Sequence, residues 1–379
     1  MSDYKIFSSD SHVSEPPDLW TERVDKAFRF RAPRVVPLER NGKPEDFLVY
    51  EGFPPHPVSV GLAAAAGQGD KVAYRETGRG YNEALPGGWD PAARLLDQDV
   101  DGVEGEVLHT TLGFRLFWLK DAALQRECFR VYNDWLSEFC SYDRRRFAGV
   151  ALISLYDIEA ACEELRRARS IGLLGGMIGL SPPPDSPPYS SPLYDRFWAT
   201  AEELEMPLVL HEITGGAESR LIIAYWDEHA SLGTVINHHE AQRTLGMLIL
   251  SGVLERFPRL KIISAENHAD WIPVFLKRLG NAFRNRPSSY PTKLSMPPVD
   301  YFHRQVYVTY MNEADAIENR ELIGVENLAF ATDYPHGAST WPNSQQIVER
   351  DFAGLPEEDR RRMVHDNILQ VYGLTAALV

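Results

Sequence analysis

A chain of 379 residues, 44% of them hydrophobic, is long enough for one large domain or two ordinary ones, with a sizeable core either way. Its formal charge of −15 sets it against nucleic acid, which selects a basic footprint, and against an anionic membrane surface. An anionic small-molecule substrate stays open, because a local arginine, histidine or metal ion outweighs distant surface charge.

The chain opens with Met1-Ser2-Asp3-Tyr4-Lys5, without a basic region followed by an apolar stretch, so no signal peptide is expected. No apolar run reaches the roughly 18–20 residues of a membrane span, and a soluble, cytoplasmic protein is expected. Tyr4–Ser9 reads as a buried first strand, closed by Asp10-Ser11-His12. Glu15-Pro16-Pro17-Asp18-Leu19-Trp20 reads as a loop entering a short helix. Residues from about 30 to 90 follow no clean period and hold Pro-rich and Gly-rich stretches. Loops of this length are uncommon inside a compact domain and are usually functional or mobile. The segment is therefore expected to be an insertion that caps a barrel mouth, with some helix inside it. A disordered linker is the competing reading for Ala63–Asp70.

Beyond it the pattern becomes regular. Pro91–Val100 is amphipathic and Gly105–Thr111 is strand two; Leu124–Tyr142 is helical and Phe147–Ser154 is strand three. Asp157–Ile171 is a helix before strand four, Leu173–Leu180, and Ser190–Leu204 is a helix before strand five, Leu208–His211. Thr244–Phe257 precedes strand six, Leu260–Glu266; Trp271–Phe283 precedes strand seven, Gln305–Thr309; Glu313–Ile323 precedes strand eight, Leu328–Asp333. A terminal helix covers Glu357–Tyr372. Cys128, Cys140 and Cys162 match neither a disulfide framework nor a zinc knuckle and are expected to be reduced core thiols. Short apolar strands alternating with helices predict an α/β fold, a (β/α)8 TIM barrel with a long insertion after strand one, built as a single domain over residues 1–379. An open doubly wound sheet is the rival, but it needs a Gly-rich phosphate turn that the sequence lacks.

Active sites of such barrels lie at the strand C-termini. There the sequence places Asp10 and His12 on strand one, His109 with Thr110-Thr111 on strand two, and His211-Glu212 on strand five. Strand six supplies Glu266 with His268 beyond it, and strand eight supplies Asp333 with His336 on the following turn. His238-His239-Glu240 lies between strands five and six. Most of the 11 histidines fall in these places. Asp10 and His12, two apart on a strand, share a face and can grip one ion, with His211 and Asp333 completing the set. The mixed nitrogen and oxygen donors suit Zn²⁺ first, with Mn²⁺ as the alternative. Against this, each residue has a bland reading: rim hydrogen bonds for Asp10 and His12, a satisfied rim histidine for His211, a turn cap for Asp333.

Glu266 ends a very apolar run, where partial desolvation raises a carboxyl pKa and suits it to proton transfer; a rim ion pair with Arg278 is the alternative. His268 is either a proton shuttle or loop filler. Of His238 and His239, one at most is expected to face the pocket, so His239 stands as a further catalytic candidate and His238 as a substrate contact, while Glu240 only starts a helix. His336 orients Asp333 or lines the substrate site. In Gly113–Trp118, Arg115 and Trp118 would recognise a planar carboxylate by fork and ring, unless the aromatics are ordinary lid packing.

These residues make the chain resemble the amidohydrolase-related metal-dependent barrels, in the branch of the aminocarboxymuconate-semialdehyde decarboxylases. The markers are Asp10-Ser11-His12-Val13 with Glu15-Pro16-Pro17, Ser251–Pro258, Glu266–Pro273 and Asp333-Tyr334-Pro335-His336. The resemblance covers nearly the whole chain. It implies one divalent metal held by Asp10, His12, His211 and Asp333, and a homodimer or higher homo-oligomer. Two departures stand out: Asp10 replaces the more common His or Glu, and Glu266 stands where the decarboxylase pattern often has a catalytic His. The expected activity is nonoxidative decarboxylation of an aromatic or unsaturated carboxylic acid, with Glu266 or a neighbouring His protonating the ring carbon. The alternative is hydrolysis of a C–C, ester or amide bond, in which Glu266 or Asp333 takes a proton from metal-bound water. A catalytically dead binding barrel is the outsider, disfavoured by so many titratable groups at strand ends.

Overall fold

The computed structural model describes residues 5–40, 42–58, 80–216, 219–220, 232–233, 235–285 and 293–374. Eight parallel strands form the central sheet, with β1 at Ile6–His12. A small three-stranded antiparallel sheet follows: β2 (Arg34–Arg40), β3 (Lys43–Val49) and β4 (His56–Pro57). The central sheet then continues through β5 (Val103–His109), β6 (Phe147–Leu152), β7 (Gly175–Ile178) and β8 (Leu208–His211). It ends with β9 (Ile262–Ala265), β10 (Val306–Tyr310) and β11 (Leu328–Phe330). Its order, β1-β5-β6-β7-β8-β9-β10-β11, follows the chain, and helices separate the strands: the fold is a (β/α)8 barrel.

The local reasons are visible. Asp90 accepts hydrogen bonds from the backbone of Ala92 and Ala93, with Pro91 as first helical residue, and so starts the helix Pro91–Asp101. Asp121 and Asp157 cap Ala122–Cys140 and Ile158–Ser170 in the same way. The expected helix Thr244–Phe257 is instead two, His238–Leu250 and Val253–Arg256, because Gly252 turns left-handed at φ 78° between them. Two helices that the periodicity did not reveal, Pro298–Gln305 and Ser344–Asp351, complete the shell. Among the described residues no helix is long and apolar enough to cross a membrane. The three cysteines are buried and unbonded.

In the stretch from 30 to 90 the described residues form mainly the antiparallel sheet, with short 3-10 turns at Arg29–Arg31, Tyr81–Glu83 and Pro86–Gly88. Ala63–Asp70 lies outside the described residues.

The seam between β1 and β11 brings the two ends of the chain together. Ser9 Oγ donates to the Ala329 carbonyl at 2.9 Å, and Thr332 N donates to Ser8 Oγ at 2.9 Å. Asp333 N donates to the Asp10 carbonyl at 2.9 Å and His12 N to the Tyr334 carbonyl at 2.6 Å. Against β5, the segment Ser8–Ser11 spans Glu106–Leu108, so β1 carries one extra residue, a bulge that sets the aim of Asp10.

Candidate metal centre

Beneath the site lies a buried clamp. Arg94, fully buried, pairs with Glu106 at 2.6 Å and donates to the carbonyls of His12 at 2.8 Å and Tyr334 at 3.4 Å. Glu106 also accepts from Gln98 at 2.6 Å and Ser11 at 3.1 Å. One guanidinium therefore fixes the ends of β1 and of the segment after β11, where the ligand candidates begin.

On that base His12, His211, Asp10 and Asp333 converge. His12 Nδ1 meets the Thr110 carbonyl at 2.8 Å, so its Nε2 is left as the acceptor turned inward. His12 Nε2 stands 3.4 Å from Asp10 Oδ1 and 3.2 Å from Asp333 Oδ1. His211 Nε2 stands 3.5 Å from Asp10 Oδ2. The Nε2 atoms of His12 and His211 are buried with no hydrogen-bond partner. Orphaned polar atoms are costly in a fold that otherwise satisfies its interior, and their convergence is what a cation would repay. Two donor groups meet at His12, Asp10-His12-His109-His211 and His12-Glu266-Asp333-His336, and each mixes imidazole nitrogens with carboxylate oxygens as a divalent ion requires.

Burial alone would push the Asp10 carboxyl up, but His109 and His211 hold it well below the usual carboxylate range. Asp333 likewise resists burial through His336 and His12 and falls to about 2. Burial brings His211 down to about 4 against the pull of Asp10, so its ring is neutral and ready to ligate. His12 is the exception: burial opposes its proton, yet Asp10 and Asp333 hold it well above the ordinary histidine value. A cation at Nε2 would take the place of that proton.

Glu266 joins the cluster from β9. Its Oε2 lies 3.5 Å from His211 Nε2 and 3.9 Å from His12 Nε2, and no ion pair with Arg278 forms among the described residues. Its side chain is 32% exposed, against 3% for Asp10 and 6% for Asp333, so it is the carboxylate that faces the mouth. Burial, then the charges of Glu212 and Asp333, push its pKa well up. Glu266, His268 and Asp333 all adopt left-handed backbone, at φ 53°, 58° and 55°. Such conformations cost on the order of 1–2 kcal/mol per residue and tend to gather at functional sites.

The remaining candidates separate. His336 Nδ1 lies 3.0 Å from Asp333 Oδ1 and its ring stacks on His12 at 4.0 Å, so it touches the cluster directly. His268 points away to Glu313, at 3.1 Å. His238 stacks on Trp271 and His239 is exposed, so neither enters the cluster. Glu240 does more than start a helix: buried, it accepts from Gly216 N, Ser219 N and Ser219 Oγ, pinning the loop after β8. Arg115, mostly buried, sits 2.8 Å from His56 Nε2 and 5.2 Å from the Trp118 ring centroid. Trp118 donates to the Gly215 carbonyl and, with Phe117, walls a cleft of about 400 Å³, part of it open to solvent. Phe114, from the same segment, packs on the His211 ring at 4.4 Å.

Three residues that the sequence reading named were given no role there. His109 Nδ1 lies 2.6 Å from Asp10 Oδ1, because His109 is the register partner of His12. Glu212, buried and hydrogen-bonded to Asn237 at 2.6 Å, is pushed by burial to about 7. Glu15 accepts from the backbone of Thr111, Leu112 and Gly113 and from the Thr110 hydroxyl, so it holds the segment that carries Arg115 and Trp118. Only the Glu15-Pro16-Pro17 marker signalled it.

A barrel whose first, fifth and last strands aim carboxylates and imidazoles at one point defines the class of metal-dependent barrel enzymes. The amidohydrolase family model matches residues 56–374, and the chain belongs to that family. Among similar proteins, the gamma-resorcylate decarboxylase of Rhizobium sp. (strain MTP-10005) is 29% identical over 71% of this chain and 85% of its own. That of Rhodococcus jostii (strain RHA1) is 31% identical over 65% and 76%. Among solved structures, an amidohydrolase from Mycobacterium avium subsp. paratuberculosis K-10 superposes with a TM-score of 0.79 at 24% identity, over 98% of this chain and 100% of its own. A 5-carboxyvanillate decarboxylase from Novosphingobium aromaticivorans, complexed with manganese and 4-hydroxy-3-methoxy-5-nitrobenzoic acid, gives 0.70 at 19% identity, over 98% and 96%.

Proposed function

We propose that the protein is a divalent-metal-dependent nonoxidative decarboxylase of an aromatic or unsaturated carboxylic acid. The observation that carries this reading is the pair of buried, unpartnered nitrogens His12 Nε2 and His211 Nε2 set among the carboxylates of Asp10 and Asp333, beside one partly exposed acid, Glu266. The sequence relatives named as decarboxylases support the reaction type.

Asp10, His12, His211 and Asp333 would hold the ion, either Zn²⁺ or Mn²⁺. When bound, the ion supplies the positive charge that fixes a substrate carboxylate and its neighbouring oxygen and steadies charge as the C–C bond breaks. Arg115 would fork the substrate's carboxylate or a second anionic oxygen while Trp118 packs on its ring. Glu266 delivers its proton to the ring carbon that carries the carboxylate. The electron pair of the breaking C–C bond returns to the ring, and the carboxyl group leaves as CO₂. A general acid works best when its pKa lies near the working pH. His336 holds Asp333 in place, and His238 would contact substrate from the connection between the fifth and sixth barrel strands.

The chain is read as one domain, in which the 30–90 insertion caps the mouth: His56 reaches Arg115, and the Tyr81 hydroxyl donates to the Glu15 carbonyl at 2.6 Å. A cytoplasmic homodimer or higher homo-oligomer is the expected assembly, checked by light scattering; the unbonded thiols agree with a reducing compartment. To test the reaction, metal-loaded protein is incubated with 2-hydroxybenzoates and 2,6-dihydroxybenzoates in H₂¹⁸O. CO₂ release without ¹⁸O in the organic product is expected. Incorporation of ¹⁸O without CO₂ would make the enzyme a hydrolase instead.

A further inference from the structure

We infer that the cleft beside the metal centre is a second substrate subsite, built for a flat apolar arm that ends in an anionic group, with Arg220 as the residue that selects that group. The inference rests on the decarboxylase reading above and adds the class of substrate: an aryl acid longer than a single substituted ring. The cleft lies among the segments that follow β5, β6, β7 and β8, and its space is about 400 Å³ counted with its open mouth. Phe117 and Trp118 form one side, Pro182-Pro183-Pro184 another, and Ile153 and Leu155 a third. Three consecutive prolines fix their own φ angles, so that wall is stiff. Shared segments join the cleft to the metal centre. Phe114, on the same 3-10 segment as Phe117 and Trp118, packs on the His211 ring at 4.4 Å, and Thr214 of the cleft donates to the His211 carbonyl at 2.6 Å.

Most polar side chains of the cleft are spent on the protein itself. Trp118 Nε1 donates to the Gly215 carbonyl at 2.7 Å, and the Tyr189 hydroxyl to the Gly179 carbonyl at 2.7 Å. The Gln125 amide donates to the carbonyls of Leu116 and Phe117, and its oxygen accepts from Ser154. Thr214 Oγ1 accepts from Leu180 N at 3.1 Å while it donates to His211. Arg220 is different. Among the described residues it is the one charged group of the cleft, and no carboxylate there pairs with it. The loop that carries it is fixed from below. Glu240 accepts from Gly216 N and Ser219 N, and a Cβ at Gly215 would collide with the Glu240 carboxylate, so glycine lets the loop close onto it. Arg220 N then donates to the Gly216 carbonyl at 3.2 Å. A guanidinium held at the edge of apolar walls forks an anion that arrives on an apolar arm, and a cleft of this make recognises its ligand through few polar groups. Arg115 serves the ring with the reacting carboxylate, and Arg220 the far end of the arm.

The test uses the full metal-loaded chain and three kinds of probe: 2-hydroxybenzoate, its phenyl derivatives and its 4-carboxyphenyl derivatives, with the arm at ring position 4 or 5. Calorimetry gives Kd and CO₂ release gives kcat/KM for wild type, Arg220→Gln and Arg220→Lys, and thermal melting confirms folding. Wild type should bind one carboxyphenyl isomer at least about tenfold more tightly than the matching phenyl compound, the scale of a charged hydrogen bond. Arg220→Gln should lose that preference, and Arg220→Lys should keep part of it, because the charge stays and the fork goes. Equal affinity for the two arms in wild type would overturn the inference, as would a preference that survives in Arg220→Gln. A loss in Arg220→Gln that is the same for all probes, 2-hydroxybenzoate included, would make Arg220 a structural residue and overturn it as well. A preference in binding with no CO₂ released from any probe would leave the subsite standing and sink the decarboxylase reading beneath it.

Discussion

At the scale of single residues, the site is a competition between burial and charge. Asp10, Asp333 and Glu266 are carboxyls within one cluster, yet the first two are held low by histidines and the third is driven up by burial and acidic neighbours. Environments that push like groups apart assign them different work. Glu266→Gln should lower kcat by roughly 10²–10⁴, the range for loss of a general acid, with CO₂ release as the assay. A variant with wild-type kcat would move proton delivery elsewhere. Arg115→Met should raise KM at least about tenfold while kcat changes less, because a group that grips the substrate equally before and during reaction contributes uniform binding. Loss of kcat at unchanged KM would contradict that role. Much of this was legible in the chain: Asp10, His12, His211, Asp333 and Glu266 all stand where apolar runs end. His109 was named at its strand end, but its partnership with Asp10 was not legible, because it depends on the register that pairs His109 with His12, and strand pairing leaves no local mark.

At the scale of elements, the supports of the site are themselves buried ions. Arg94 and Glu106 form a pair with 0% and 2% side-chain exposure, and Arg94 holds the carbonyls of His12 and Tyr334. Removing one partner of such a pair leaves a buried charge uncompensated, at a cost of about 3–5 kcal/mol. Arg94→Met should show that loss in urea unfolding and weaken metal binding as well, although Arg94 touches no ligand side chain; unchanged metal affinity would show that the clamp does not position the site. Asp101 offers a separate prediction in pH. Burial raises its carboxyl to about 6, although Ser344 donates to it from both backbone and hydroxyl. A folded value above the unfolded one means that ionised Asp101 costs stability above about pH 6, a cost that fades as pH falls toward the unfolded value of about 4. Asp101→Asn should therefore gain melting temperature relative to wild type between pH 5 and pH 7.5; a constant difference across that range would refute the assignment. The barrel strands were readable because they are short apolar runs between helices, and even β1, with Ser8, Ser9, Asp10 and Ser11, is buried throughout. The β2–β4 sheet was not readable: Pro37 and Pro44 and a mostly exposed, charged surface blur its alternation.

At the scale of the whole molecule, closing the barrel puts residues 10–12 beside residues 332–336. The β1–β11 seam is bonded through serine hydroxyls and irregular backbone contacts, so the joint that closes the barrel also builds the metal centre. That explains why a site scattered from Asp10 to Asp333 can be read from strand ends alone once a barrel is inferred, and why its finer parts, such as the support of Arg115 by Glu15, cannot. The central claim is that the chain gathers one divalent cation between β1, β8 and the end of β11. Crystals of Mn²⁺-loaded protein measured for anomalous scattering would test it directly. The account predicts one strong peak per chain, about 2.0–2.3 Å from His12 Nε2, His211 Nε2 and an oxygen of Asp333. Fully loaded crystals with peaks only at surface carboxylates, and none touching both histidines, would contradict it.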